Sequence, residues 1–350
     1  MKPNPKRKLR VFHGLANYGT QAGLFALELR KNNIAAISVV TADSFKRQID
    51  VELLHGGNVF QKIFKHSYNW VRRFYWFFRY NTFHFYFGSS LFPGQADLPL
   101  YKIFGKKVIM EYLGWDLQLY QYSINKYKHT NALYYNRKDE GIAGDLVKLR
   151  RLEFESKHVN KQLVCAPYLS EFLPSAEVLP LAISLDNLNF APKDLPKGTL
   201  KFLHAPTHRA SKGSDFIEDA ITKLKAEGFD IDFKLVDNTT HADLIKEYIN
   251  CDIFIDQIHG GWYGTASIEA MAIGRPTVCC IREDYFEYIN YGDKIPIINA
   301  NPDTIYEVLR KVVLEKEKLP EIGLRSRKFV EEVHDVKPLT QRLITIYNSC

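Results

Sequence analysis

Cysteine is sparse in this chain, at five residues in 350, and Cys165, Cys251, Cys279, Cys280 and Cys350 form an odd set with no CxxC or other metal-ligand spacing. The thiols are therefore expected to be reduced and mostly in the core, and no metal site is expected. Long apolar runs are also missing. No window reaches the roughly eighteen apolar residues of a spanning helix, because the most aromatic stretch, 74–92, is cut by Arg79, Asn81 and His84. No repeat appears at a period of about 20 to 50 residues, and there is no low-complexity tract. The basic residues 1–10 pass into polar and glycine residues before an apolar signal region could form, so cytoplasmic synthesis and residence are expected.

What is present is the composition of a folded globular protein, 46% apolar and 25% charged, in a chain long enough for two domains of ordinary size. The net charge of +7 and a pI near 8.9 favour an anionic partner without choosing among nucleotide, nucleic acid and an anionic membrane surface.

Strand and helix patterns alternate along the chain. In the first half, strands are expected at 9–13, 34–40, 82–87, 107–111 and 162–166, with helices at 20–32, 96–104 and 144–156. The second half repeats the plan, with strands at 201–204, 231–236, 252–256, 276–281 and 295–298 and helices at 214–227, 241–250, 265–273 and 302–317. This order predicts an α/β protein of two Rossmann-like parallel-sheet domains. Pro180, Pro192 and Pro196 mark a stretch of little periodicity. The expected division is a first domain over 1–183, a linker at 184–199, a second domain over 200–335, and a helix over 336–350 packing back on the first domain. The default binding site is a cleft beside the linker, across which the domains face each other.

Two segments carry chemistry. The strand-to-helix corner 204–213 sets Arg209 and Lys212 just before a helix N-terminus, where cations, backbone N–H groups and the helix dipole suit an anion; solvated loop cations are the alternative. The second segment, 260–278, is a Gly-rich turn opening a helix. Gly264 would let backbone approach a phosphate, and Glu269, over one turn in, could accept hydrogen bonds from a ribose diol or be an ordinary surface acid.

Taken in order, these segments resemble the donor site of GT-B glycosyltransferases of the family-4 kind. Pro206, Arg209 and Lys212-Gly213 match its first cluster, and Gly264 to Pro276 its later Gly-x-x-x-x-Glu-Ala-Met-Ala-x-Gly-x-Pro run. Residues 178–192, with Asp186, are similar to its hinge. The resemblance implies transfer of a sugar from a nucleotide-diphosphate donor to a glycan or lipid-linked acceptor, with retained configuration and no metal or cofactor. It assigns Arg209 and Lys212 to the departing diphosphate, Glu269 to the ribose, and Pro206, Gly213, Gly264 and Thr265 to donor binding. The first loop resembles the family's less closely, with Asn17, Tyr18 and Gly19 facing acceptor or donor phosphate. Two departures stand out. The family often has an acid where this chain has Gly261, and its His-Gly-x-Asp reads Leu113-Gly114-Trp115-Asp116 here. Asp116 could position an acceptor hydroxyl or the donor sugar, or be an exposed helix cap. His84 aligns with a histidine near the family's cleft, and a core histidine is the alternative.

Residues 60–79 interleave Lys62, Lys65, Arg72, Arg73 and Arg79 with aromatics. The pattern suits either an interfacial helix on an anionic membrane, peripheral on its inner face, or a packed helix with solvated cations. Rival functions are a nucleotide-sugar epimerase or phosphorylase on the same fold. A nucleic-acid-binding protein is a third, although no reader motif accompanies the basic charge.

Overall fold

The computed structural model describes residues 8–42, 48–134, 141–237 and 239–350; most of the basic N-terminal stretch lies outside them. The chain forms two compact units. One gathers Met1–Gln118, Leu146–Ala182 and Val336–Cys350, and the other gathers Leu119–Asp145 and Ile183–Asp335.

The first unit is built on seven strands: β1 (Arg10–Leu15), β2 (Ala35–Val40), β3 (Val51–Glu52), β4 (Thr82–Tyr86), β5 (Lys107–Tyr112), β6 (Lys161–Val164) and β7 (Glu177–Val178). They lie in the order β3-β2-β1-β4-β5-β6-β7, every pair parallel. All of β4 is buried, and so is β5 beyond its first residue. Burial on both faces is that of a covered sheet: Val108, Ile109 and Met110 of β5 run continuously, and Thr82, His84 and Glu111 are buried alongside the apolar residues. The helix Val336–Ser349 presents Val336, Leu339, Leu343 and Ile346 at helical spacing to a core shared with Val11, Phe25 and Ile109.

In the second unit, β8 (Leu200–His204), β9 (Ile231–Leu235), β10 (Ile253–Ile255), β11 (Thr277–Cys279) and β12 (Ile298–Asn299) form a parallel sheet ordered β12-β11-β10-β8-β9. Its core joins Phe202, Ile253 and Val278 to the helices Ser214–Ala226 and Ile305–Leu314.

The segment 119–145, expected in the first domain, groups instead with the second unit. Lys128 Nζ and His129 Nε2 reach Asp303 at 2.7 and 2.8 Å, and the Arg282 guanidinium lies 3.7 Å from the centre of the Tyr127 ring. These contacts join residues far apart in sequence, so local periodicity carries no trace of them.

In each sheet the strand order reverses once, between β1 and β4 in the first unit and between β8 and β10 in the second. Open parallel sheets bind ligands outside the carboxyl ends of the strands at such a reversal.

Candidate functional site

The reversal in the second unit brings together the two segments singled out in the sequence. After β8 the chain passes through buried Pro206 into the short helix Arg209–Lys212, turns at Gly213 (φ 83°), and enters the helix Ser214–Ala226. After β10 it runs from Asp256 to Gly264 and into the helix Thr265–Ile273. Ile258 N donates to Lys212 O at 3.0 Å. A Cβ at Gly213 would stand 2.4 Å from Ile258 Cγ1, so glycine is needed there for both conformation and space.

Asp256 joins the segments. Its Oδ1 lies 2.8 Å from Lys212 Nζ, and its Oδ2 accepts from Ser267 Oγ at 2.5 Å, with the residue 2% exposed. Burial alone would raise this carboxyl, yet the Lys212 ammonium and the Ser267 hydroxyl hold it below its ordinary value. The sequence reading passed over Asp256, although an acid at the end of a strand before a Gly-rich turn was a signal it could have used.

Arg209 does not join this array. It pairs with Glu218 at 2.5 Å, with Asp237 at 3.9 Å, so the two cations are held by different acids. Glu269 Oε1 lies 2.9 Å from His241 Nε2, and that bond raises the histidine above its usual range. Neither helix, Ser214–Ala226 or Thr265–Ile273, has a side-chain N-cap. Their first-turn N–H groups face the reversal without the capping oxygen that usually satisfies one of them. At Gly264 a Cβ would meet nothing within 4 Å, so internal packing does not account for the glycine.

His259 was also missed. It is 1% exposed, and neither ring nitrogen has a hydrogen-bond partner. Burial and the neighbouring His129 push it down to about 4, leaving a neutral imidazole. Its ring centre lies 4.5 Å from that of Tyr134, and its Cδ2 would be 3.0 Å from a Cβ at Gly213. Gly261, the position lacking the family's acid, has φ 72°, and the Arg282 guanidinium occupies the place of a side chain, 2.3 Å from a Cβ built there. An acid at 261 would have to displace that arginine.

In the first unit, Asn17 to Thr20 follow β1, Phe87 follows β4, and Tyr18 stacks on Phe87 with ring centres 4.7 Å apart. Gly19 takes φ 51°, and its carbonyl accepts from Gln21 Nε2 at 2.8 Å. Asp116 is buried and is not an exposed helix cap. Its Oδ1 accepts from Leu113 N at 3.0 Å and Gly114 N at 2.8 Å. Burial raises its carboxyl to about 7 against the opposing pull of Arg151 and the backbone N–H groups.

His84 is a core residue rather than a ligand-facing one. It is fully buried, its Nδ1 is bonded to Tyr347 Oη at 2.7 Å, and its Nε2 stands 2.9 Å from Glu111 Oε2, misaligned for a hydrogen bond. The helix supplying Tyr347 lies 263 residues downstream, which is why the sequence left both readings of His84 open.

No family model and no curated relative matches the chain. Among solved structures, sucrose-phosphate synthase (tll1590) from Thermosynechococcus elongatus aligns with 98% of this chain and 99% of its own, at a TM-score of 0.66 and 12% identity. WaaG, a glycosyltransferase involved in lipopolysaccharide biosynthesis, aligns over 97% and 99% at 0.56 and 13%. A structure from Listeria monocytogenes assigned as a UDP-N-acetylglucosamine 2-epimerase aligns over 98% and 96% at 0.56 and 11%. With two parallel sheets of Rossmann-like order and near-complete alignment to such structures, the chain has the GT-B fold.

Proposed function

We propose that the protein is a glycosyltransferase that takes a sugar from a nucleotide-diphosphate donor bound by the second unit and passes it to a glycan or lipid-linked acceptor. The observation carrying this reading is the Lys212–Asp256–Ser267 array, which ties both donor segments together at the sheet reversal. In the reaction the bond between the anomeric carbon and the diphosphate oxygen breaks, and the leaving diphosphate gains negative charge. Lys212 and two uncapped helix N-termini would stabilise that charge without reorganising, the condition under which electrostatic catalysis is strongest. Asp256 holds the Lys212 ammonium in place. Arg209 supports the diphosphate from outside this array by releasing Glu218. Pro206, Gly213, Gly264 and Thr265 shape the backbone around the donor, Glu269 takes the ribose, and the unsatisfied ring of His259 beside Gly213 favours a polar ligand there.

Gly19 belongs to donor binding in the proposal, Asp116 positions an acceptor hydroxyl or the donor sugar, and His84 acts only through the core. Retention of configuration rests on the family resemblance.

Turnover tests the reading. In excess EDTA, the protein should release nucleoside diphosphate from one member of a panel of UDP-, GDP-, ADP- and dTDP-sugars. Loss of turnover that magnesium or manganese restores would assign the diphosphate charge to a metal instead. The epimerase reading has the likeness to the Listeria structure in its favour. It predicts epimerised sugar from UDP-N-acetylglucosamine with no acceptor glycosylated. A nucleic-acid-binding protein would turn over none of the panel and would bind oligonucleotides in a strongly salt-dependent way.

A further inference from the structure

The helix Val59–Arg79 carries nine of the twenty-five large apolar side chains exposed among the described residues. At helical spacing, Phe60, Ile63, Phe64, Val71, Phe74 and Phe78 fall in one stripe about 100° wide. The stripe faces away from the core: Phe60 is 84% exposed, whereas Asn69 and Trp76, on the opposite side, are buried. The packed-helix reading therefore accounts for only one face. The apolar surface continues beyond the helix through Phe104, whose ring centre lies 6.1 Å from that of Phe78, to exposed Ile103. A contiguous patch of this kind on a folded protein marks a surface that is covered in use.

Charge selects the occupant. Lys62 and Arg79 are exposed off the stripe, Lys65, Arg72 and Arg73 lie partly buried toward the side of Asn69 and Trp76, and no Asp or Glu occurs between Glu52 and Asp97. Arg72 is folded over the Trp76 ring at 4.8 Å, and Lys65 Nζ bonds the carbonyls of His55 and Gly56 at 3.0 and 3.1 Å. A second copy of the chain would bring these cations against their own counterparts. A bilayer rich in anionic lipid satisfies both features, since its acyl boundary takes the aromatics while its headgroups meet the cations. No helix among the described residues is long and apolar enough to cross a membrane, so this one would lie along the surface. We propose that the 59–79 helix docks the first unit on an anionic lipid surface through its Phe60–Phe78 stripe.

The test is sedimentation of the full chain with vesicles of phosphatidylcholine alone and with phosphatidylglycerol added, at low and high salt. Wild type should bind the anionic vesicles at least tenfold better than the zwitterionic ones. Phe60→Ser/Phe64→Ser/Val71→Ser, all at exposed positions, should lose binding at every salt concentration. Lys62→Gln/Lys65→Gln/Arg79→Gln should keep weak binding and lose the preference for anionic lipid. Quenching of wild-type tryptophan fluorescence by brominated acyl chains, through Trp70 at the stripe's border, is a second readout that needs no variant. Wild type remaining in the supernatant with both vesicles would overturn the proposal. So would unchanged binding by the serine variant, or a vesicle-independent dimer that the serine substitutions dissolve.

Discussion

Asp256 shows how much of the site depends on pairing that a sequence does not display. Lys212 was legible because a basic residue before a helix is a local pattern, but its 2.8 Å partner lies 44 residues on. Without Lys212 the buried carboxylate would carry an uncompensated charge, and without Asp256 the ammonium would lose its anchor. Removing one partner of such a pair costs more than the pair itself contributes, roughly 3 kcal/mol or more. Asp256→Asn should therefore lower unfolding stability in urea by about that amount, and Lys212→Met added to it should recover part of the loss. A double-mutant cycle showing simple additivity would mean that the two side chains are not coupled. The same limit explains Arg209. Its charge was evident from the sequence, whereas its commitment to Glu218 depends on how the next helix is placed.

The helices and central strands were the most legible elements, because each carries its own period and its own turn. The helices at 241–250 and 265–273 match the sequence expectation in both bounds. The short edge strands β3 and β7, two residues each, have no period to read. The C-terminal helix was read as an element packing back on the first domain, and it shares that unit's core, but the buried polar cluster it closes was not legible. Tyr347 on it meets His84 on β4, and around that contact stand Glu111 on β5, His13 on β1 and Tyr86 on β4, all fully buried. Burial raises Glu111 to about 8 and lowers His84 to about 3, so near neutrality the pair is held as two neutral groups. The folded state then binds more protons at Glu111 than the unfolded state does, and stability falls as pH rises from about 4.5 to about 8. At His84 the unfolded state binds more, and stability falls as pH drops from about 6.5 to about 3. Glu111→Gln, which is neutral at every pH, should flatten the loss on the alkaline side and melt higher than wild type at pH 8. A variant with an unchanged stability profile above pH 5 would show that Glu111 is ionised in the fold.

At the scale of the molecule, both sheets reverse strand order once, and the second reversal gathers residues that local reading had already placed on separate turns. The fold was legible because alternating strands and helices leave few topologies open. The grouping of 119–145 with the second unit was not, since it depends on contacts such as Lys128–Asp303. In the proposed reaction the second unit binds a nucleoside diphosphate through Lys212 and Glu269. Calorimetry decides this, with affinities for UDP, GDP and ADP and for the matching free nucleosides in wild type, Lys212→Ala and Glu269→Gln. Charge-assisted hydrogen bonds are worth about 1.5 to 3 kcal/mol, or roughly ten- to a hundredfold in affinity. Loss of Lys212 should therefore weaken one diphosphate by that factor and leave its nucleoside nearly unchanged, while loss of Glu269 should weaken both. If both variants bind every diphosphate as wild type does, or if wild type binds none, the donor-site assignment is contradicted and the likeness speaks for the fold alone.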